Sequence, residues 1–111
     1  MTTEVPTGIA IEPIYVVEAT YGPRAAELRP GVRPEHLTRI LELRDKGIVI
    51  EAGGYSDFST AIIFLRAASE AEADAIARDD VYLRSGVWVD VRVRPFGRVV
   101  RPDEMPGTTV G

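Results

Sequence analysis

The chain carries one histidine, His36, in the stretch "RPEHL". Imidazole is the side chain best suited to exchange a proton near neutral pH, so its setting decides what chemistry is open to the protein. A carboxylate bonded to one ring nitrogen fixes the tautomer and leaves the other nitrogen as a proton acceptor, which is what a general base requires. Such a base can take a proton from carbon beside a carbonyl or carboxylate, or return one in an isomerisation. Arg24, Arg29 and Arg33 gather just before the histidine. Guanidinium groups suit the bidentate capture of a substrate carboxylate, although Arg24 and Arg29 read more simply as solvated surface charge. Further on, "ARDDVYLRSG" holds the adjacent acids Asp79 and Asp80 and then Tyr82. Aspartate is common in turns for local reasons alone, and Tyr82 can equally line a cleft or pack half-buried.

Composition removes several classes of chemistry. There is no cysteine, so disulfides, thiolate metal sites and cysteine nucleophiles are excluded. A single histidine argues against zinc, which in catalytic sites takes two or three imidazoles. The 111 residues suit one domain, and a net charge of −4 gives no footing for non-specific nucleic-acid binding. "MTTEVPTGIAIEP" lacks the basic and apolar regions of a signal peptide, and no apolar run reaches membrane length. A cytoplasmic protein with no nucleic-acid or membrane partner is expected. Gly53 and Gly54 lack the helix that must follow a phosphate-binding loop and read as a bend.

The elements that must position these residues follow from periodicity. Residues 1–12 read as a loose arm. "PIYVVEA" (13–19) alternates as a strand. The segment 20–33, with Gly22, Pro23, Pro30 and Gly31, reads as a long loop. Pro34 then fits a first helical turn, which puts His36 at a helix start, where the terminal partial charge disfavours an imidazolium. Leu37, Ile40, Leu41 and Arg44 fall on one helical stripe, and Gly47 is a natural stop. Strands follow at 48–55 and 60–67. Ser69 and Glu72 form a capping box that opens a helix over 69–78. The segment 79–86 reads as a turn. In "VWVDVRVRPF" (87–96) the valines point one way, while Trp88, Asp90, Arg92 and Arg94 point the other. Glu18 and Arg92 are candidates for a cross-strand pair. Residues 99–111 read as a surface tail.

The order β-α-β-β-α-β is that of an α+β, ferredoxin-like fold, an antiparallel four-stranded sheet with both helices on one face. The other face would be bare and would carry Trp88, Tyr15 and Phe64. A monomer rarely exposes such a patch, so a homodimer joined through these faces is expected.

"RPEHLTRILELRDKGIVIEAGG" and "ARDDVYLRSGVWVDVRVRPF" resemble the YciI-like proteins, small dimeric α+β barrel proteins related in fold to muconolactone isomerase. The resemblance covers about residues 14–98, within a domain spanning 13–98. It rests on Arg33, His36, Leu37, Gly47, Asp80, Tyr82, Gly86 and the closing Arg94, Pro95 and Phe96. Two departures stand out: Val81 where relatives usually have proline, and a short hairpin after Gly54. The resemblance implies a His–Asp pair in a cleft, His36 with Asp80, although from the residues alone Asp79 would serve as well. Arg33 and Tyr82 become candidate substrate-binding residues. It also implies cofactor-free elimination of HCl from chlorinated or hydroxylated muconate-type ring-fission products. The expected function is a lyase or isomerase acting on a small anionic organic acid, with no metal or cofactor. The alternatives are a non-catalytic small-ligand-binding or regulatory dimer and, behind it, a cofactor-free monooxygenase. Because neither His36 nor Asp80 belongs to the apolar stripes, replacing either is expected to leave folding intact.

Overall fold

The computed structural model describes residues 4–106; residues 1–3 of the expected arm and 107–111 of the expected tail lie outside the described residues. Its elements are β1 (Ala10–Tyr21), α1 (Ala25–Asp45), β2 (Val49–Gly54), β3 (Thr60–Leu65), α2 (Glu70–Arg78), the short α3 (Val81–Arg84) and β4 (Trp88–Val100), followed by a 3₁₀ turn at Pro102–Glu104. The sheet order is β2-β3-β1-β4 with every neighbouring pair antiparallel. This is the expected α+β, ferredoxin-like arrangement. Val17, Ala19, Ala61, Ile63, Leu65 and Val91 form the sheet side of the core, and Ala25, Ala73, Ala77, Val81 and Tyr82 come down on them from the helices.

The largest departure from the sequence expectation is α1. It begins at Ala25 rather than near Pro34 and runs through Pro30, Gly31 and Pro34. Ala25, Leu28, Val32, His36, Ile40 and Leu43 face the core at spacings of three or four, and that stripe carries the helix across the prolines. Pro30 and Pro34 lie on the exposed side, where water can take the carbonyls that lose their N–H partners. His36 therefore sits in mid-helix on the inward face, and the influence expected from a helix end falls away, because that field is confined to the first turn. The expected stripe was rotated. Leu37 and Leu41 remain 46% and 56% exposed. The stop at Gly47 is as expected. Gly47 adopts φ +77°, its N–H bonds to the Arg44 carbonyl and that of Ile48 to the Leu43 carbonyl, a Schellman closure that needs a left-handed residue.

The second departure is in β4. Tyr21 pairs with Trp88 but Thr20 pairs with Asp90, so Val89 is an extra, bulged residue. The bulge reverses the alternation on one side of it. Trp88 thus turns inward with Val91, is 1% exposed, and does not lie on the open sheet face. Gly22 makes room for the bulge, since a Cβ there would meet the Val89 side chain at 2.5 Å. Tyr15 also packs toward the helices. Phe64 stays on the open face as expected, 5.1 Å from Phe96 between ring centroids. Glu18 stands opposite Arg92, but its ion pair runs diagonally to Arg94. β1 starts at Ala10, within the expected arm, and β4 extends to Val100, within the expected tail.

Candidate active site

Three elements converge on His36. α1 presents the imidazole inward, α3 brings Asp80 and Tyr82 beneath it, and the start of β4 supplies Trp88. His36 Nδ1 lies 2.7 Å from Asp80 Oδ1. The same oxygen accepts the Tyr82 backbone N–H at 2.9 Å, which makes Asp80 the N-cap of α3. Its other oxygen accepts Arg39 Nη1–H at 3.1 Å, while Arg39 Nη2–H is donated to the Ile76 carbonyl at 2.9 Å. The structure thus brings Asp80 to His36. Asp79 is exposed, and among the described residues its carboxylate pairs with Arg39, at 3.8 Å, and not with His36.

Asp80 is 1% exposed. Burial pushes its carboxyl toward the neutral form. The hydrogen bonds from His36 and the Tyr82 N–H, with the charge of Arg39, outweigh this and hold it below the usual carboxylate range. An ionised carboxylate can only accept, so the hydrogen on a neutral His36 is placed on Nδ1 and the lone pair on Nε2. The imidazole is further fixed by aromatic contacts. The Tyr82 ring stacks on it at 3.7 Å between centroids and 10° between planes, and Trp88 meets it edge-on at 5.3 Å. Burial pushes the Tyr82 phenol up, against the opposing charges of Arg29 and Arg33, so at neutral pH it keeps its proton.

His36, Tyr82 and Trp88 border a cavity of about 380 Å³, which Arg33, Arg29 and the β2–β3 hairpin also line. Gly53 and Gly54 lie at the end of β2, where they lead into that hairpin; a Cβ on Gly54 would come 3.0 Å from the Tyr21 hydroxyl. Sequence reasoning missed Arg39 and Trp88 as members of this constellation, and it weighed Arg29 as a carboxylate clamp but read it more simply as surface charge. For Arg39 a signal was present, because it follows His36 by three residues and so shares its helix face. Among the described residues no group of three or more His, Cys, Asp or Glu could hold a metal ion, and no helix is long and apolar enough to cross a membrane.

Residues 14–97 match the YCII-related domain. The chain belongs to that family. Protein YciI of Escherichia coli is 32% identical over 96 residues, covering 78% of this chain and 98% of its own. A protein of Haemophilus influenzae is 28% identical over 95 residues, covering 77% and 97%. Among solved structures, 5-chloro-2-hydroxyhydroquinone dehydrochlorinase from Burkholderia phenoliruptrix, in complex with 2,5-dihydroxybenzoquinone, superposes with a TM-score of 0.63 over 75% of this chain and 92% of that one. At 16% identity that likeness is one of fold. That enzyme is named for an intact chlorinated ring, whereas the sequence resemblance pointed to ring-fission acids.

Proposed function

We propose that this YCII-family protein is a cofactor-independent acid–base enzyme, a lyase or isomerase, acting on a small anionic organic acid. The observation that carries the proposal is the 2.7 Å contact of His36 with a buried, ionised Asp80 at the wall of the cavity. Asp80 orients the ring, and Nε2 of His36 takes a proton from a carbon next to a carbonyl. The C–H electron pair moves into the carbonyl as an enolate. Expulsion of a leaving group such as chloride from the neighbouring carbon completes an elimination, and return of the proton at another carbon completes an isomerisation. Arg33 binds the anionic group of the substrate, and Tyr82 both braces the imidazole and walls the cavity.

The working form in this proposal is a homodimer, with open sheet faces apposed around Phe64 and Phe96. Trp88 no longer contributes to that argument, since it is buried under the helices. The acidic net charge disfavours a nucleic-acid partner.

The test is turnover on a panel of muconate-type acids, lactone acids and chlorinated hydroxyhydroquinones, read by proton NMR in deuterated water. Loss or exchange of a carbon-bound proton, abolished in His36→Ala, is the expected result. Full activity of His36→Ala on an accepted substrate would contradict the mechanism. Binding without any proton loss would favour a ligand-binding dimer instead. Occupancy can be read independently, because the chain's one tryptophan, Trp88, borders the cavity and its fluorescence should respond to a quinone such as 2,5-dihydroxybenzoquinone.

A further inference from the structure

Arg29 lines the cavity with His36 and Tyr82, yet among the described residues it has no carboxylate partner. Arg33 and Arg44 on α1 likewise lack a carboxylate among the described residues but are exposed, whereas two other arginines are paired. Arg24 bonds to Glu27, and Arg39 holds Asp80. The Nε of Arg29 is enclosed and meets no acceptor. The guanidinium instead lies over the face of Phe58, 4.7 Å from the ring centroid. Arg29 is half-buried with its Nε edge closed to water, and a cation so placed without a counter-charge gains from an anion that reaches it.

Phe58 adds an independent observation. It is the one non-glycine residue with positive φ among those described, at 59°. That conformation is strained for a bulky residue, and strain of this kind collects where structure serves a site. Core packing does not account for it, since Phe58 is half exposed. Its ring instead covers Arg29 and meets Tyr21 edge-on at 6.1 Å.

We infer that Arg29, held in place by Phe58 at the tip of the β2–β3 hairpin, is a second charge-selecting residue of the cavity beside Arg33, taking a further anionic oxygen of a flat, conjugated enol, phenol or keto acid. The inference rests on the reading of His36 as the base. The arrangement supplies the geometry. Arg29 acts on the Tyr82 phenol, and the Tyr82 ring is stacked on His36, so cation and base flank one residue. A planar molecule lying among these aromatic walls can place its acidic carbon at Nε2 and its conjugated oxygen at Arg29. When the carbon loses its proton to Nε2, the released electron pair moves into a carbonyl of the same conjugated system, whose oxygen becomes the enolate, and Arg29 on the adjoining anionic oxygen offsets the added negative charge.

The experiment titrates Trp88 fluorescence with 2,5-dihydroxybenzoquinone and with cis,cis-muconate, and measures thermal melting of each protein. Arg29→Gln should weaken binding of whichever anion the wild type takes by about tenfold or more, while Tm stays level, because the half-buried Arg29 holds no ion pair among the described residues. Arg29→Lys should recover part of the affinity. Phe58→Gly should weaken binding and raise Tm, since glycine adopts positive φ freely. Arg29→Gln binding as tightly as the wild type would overturn the inference, as would failure of the wild type to bind either anion at millimolar concentration. Binding is read without turnover, so an inactive His36 would sink the proposed mechanism while leaving this result standing, and the reverse holds for Arg29.

Discussion

Two buried carboxylates sit in this small fold, and they are held in similar ways to different ends. Glu12, 3% exposed, takes Arg66 through Nε and Nη2 and Arg98 through Nη1. Asp80, 1% exposed, takes Arg39, a backbone N–H and His36. In both cases burial pushes the carboxyl up and hydrogen bonds with arginine charge bring it below its ordinary value. The difference lies in what the partner does with its other end. The guanidiniums on Glu12 are donors throughout, and Arg66 spends a remaining donor on the Gly47 carbonyl. The imidazole on Asp80 belongs to a residue that lines the cavity, and its second nitrogen accepts when the ring is neutral with its proton on Nδ1. Similar electrostatics thus give a brace in one place and, in the proposed function, a poised proton acceptor in the other.

Mutation should separate the two sharply. The largest contrast is in turnover. His36→Ala and Asp80→Asn should each lower kcat by about 10² to 10⁴, and the double variant should be little worse than the worse single one, because the pair acts as a unit. Glu12→Gln should leave kcat unchanged on the same substrate. In Asp80→Asn the side-chain amide can donate to Nδ1, which favours the Nε2–H tautomer and removes the lone pair that the cavity needs.

Stability should show a smaller contrast, and it revises the expectation that folding is indifferent to this pair. Asp80 caps α3 and pairs with the partly buried Arg39. Asp80→Ala should therefore lose about 3–5 kcal/mol in urea denaturation, and Glu12→Gln about 1–3 kcal/mol. The pH dependence has a definite sign. Folded-state values lowered from 3.8 for Asp80 and 4.5 for Glu12 mean that both contributions are complete above those values and vanish as pH falls through the depressed ones. Stability measured by melting should hold from neutral pH down to about 5 and fall below about 4. Asp80→Asn should flatten that fall. The smallest effect expected is that of Arg33→Ala, a severalfold rise in KM with kcat preserved if Arg33 binds ground and transition states equally.

The fold was more legible than the site. Alternating apolar residues in β1 and β3 and the Ser69 cap announced the element order, and Ser69 Oγ does accept the Glu72 N–H at 3.1 Å, with Glu72 reaching back to Ala68 N–H at 3.2 Å. Pairing of His36 with Asp80 was not readable from spacing, because the two lie 44 residues apart; the family motif supplied it. Two local rules misled. Pro30, Gly31 and Pro34 look like breakers when taken singly, yet the inward stripe through Leu28, Val32 and His36 overrides them. Reading that stripe first would have moved Arg29 and Arg33 from a loop onto the helix. Strict alternation put Trp88 on the wrong face because a single bulged residue, Val89, reverses it, and sequence carries little mark of such a bulge beyond Gly22.

The central claim is that His36 is held by Asp80 as the Nδ1–H tautomer with Nε2 free to accept a proton. Because the chain has one histidine, long-range proton–nitrogen NMR of the imidazole reads this without assignment and without a substrate. At a pH where the ring is neutral, a protonated Nδ1 and a bare Nε2 are predicted in the wild type, with the pattern inverted in Asp80→Asn. A wild-type spectrum with the proton on Nε2, or one unchanged by Asp80→Asn, would contradict the account.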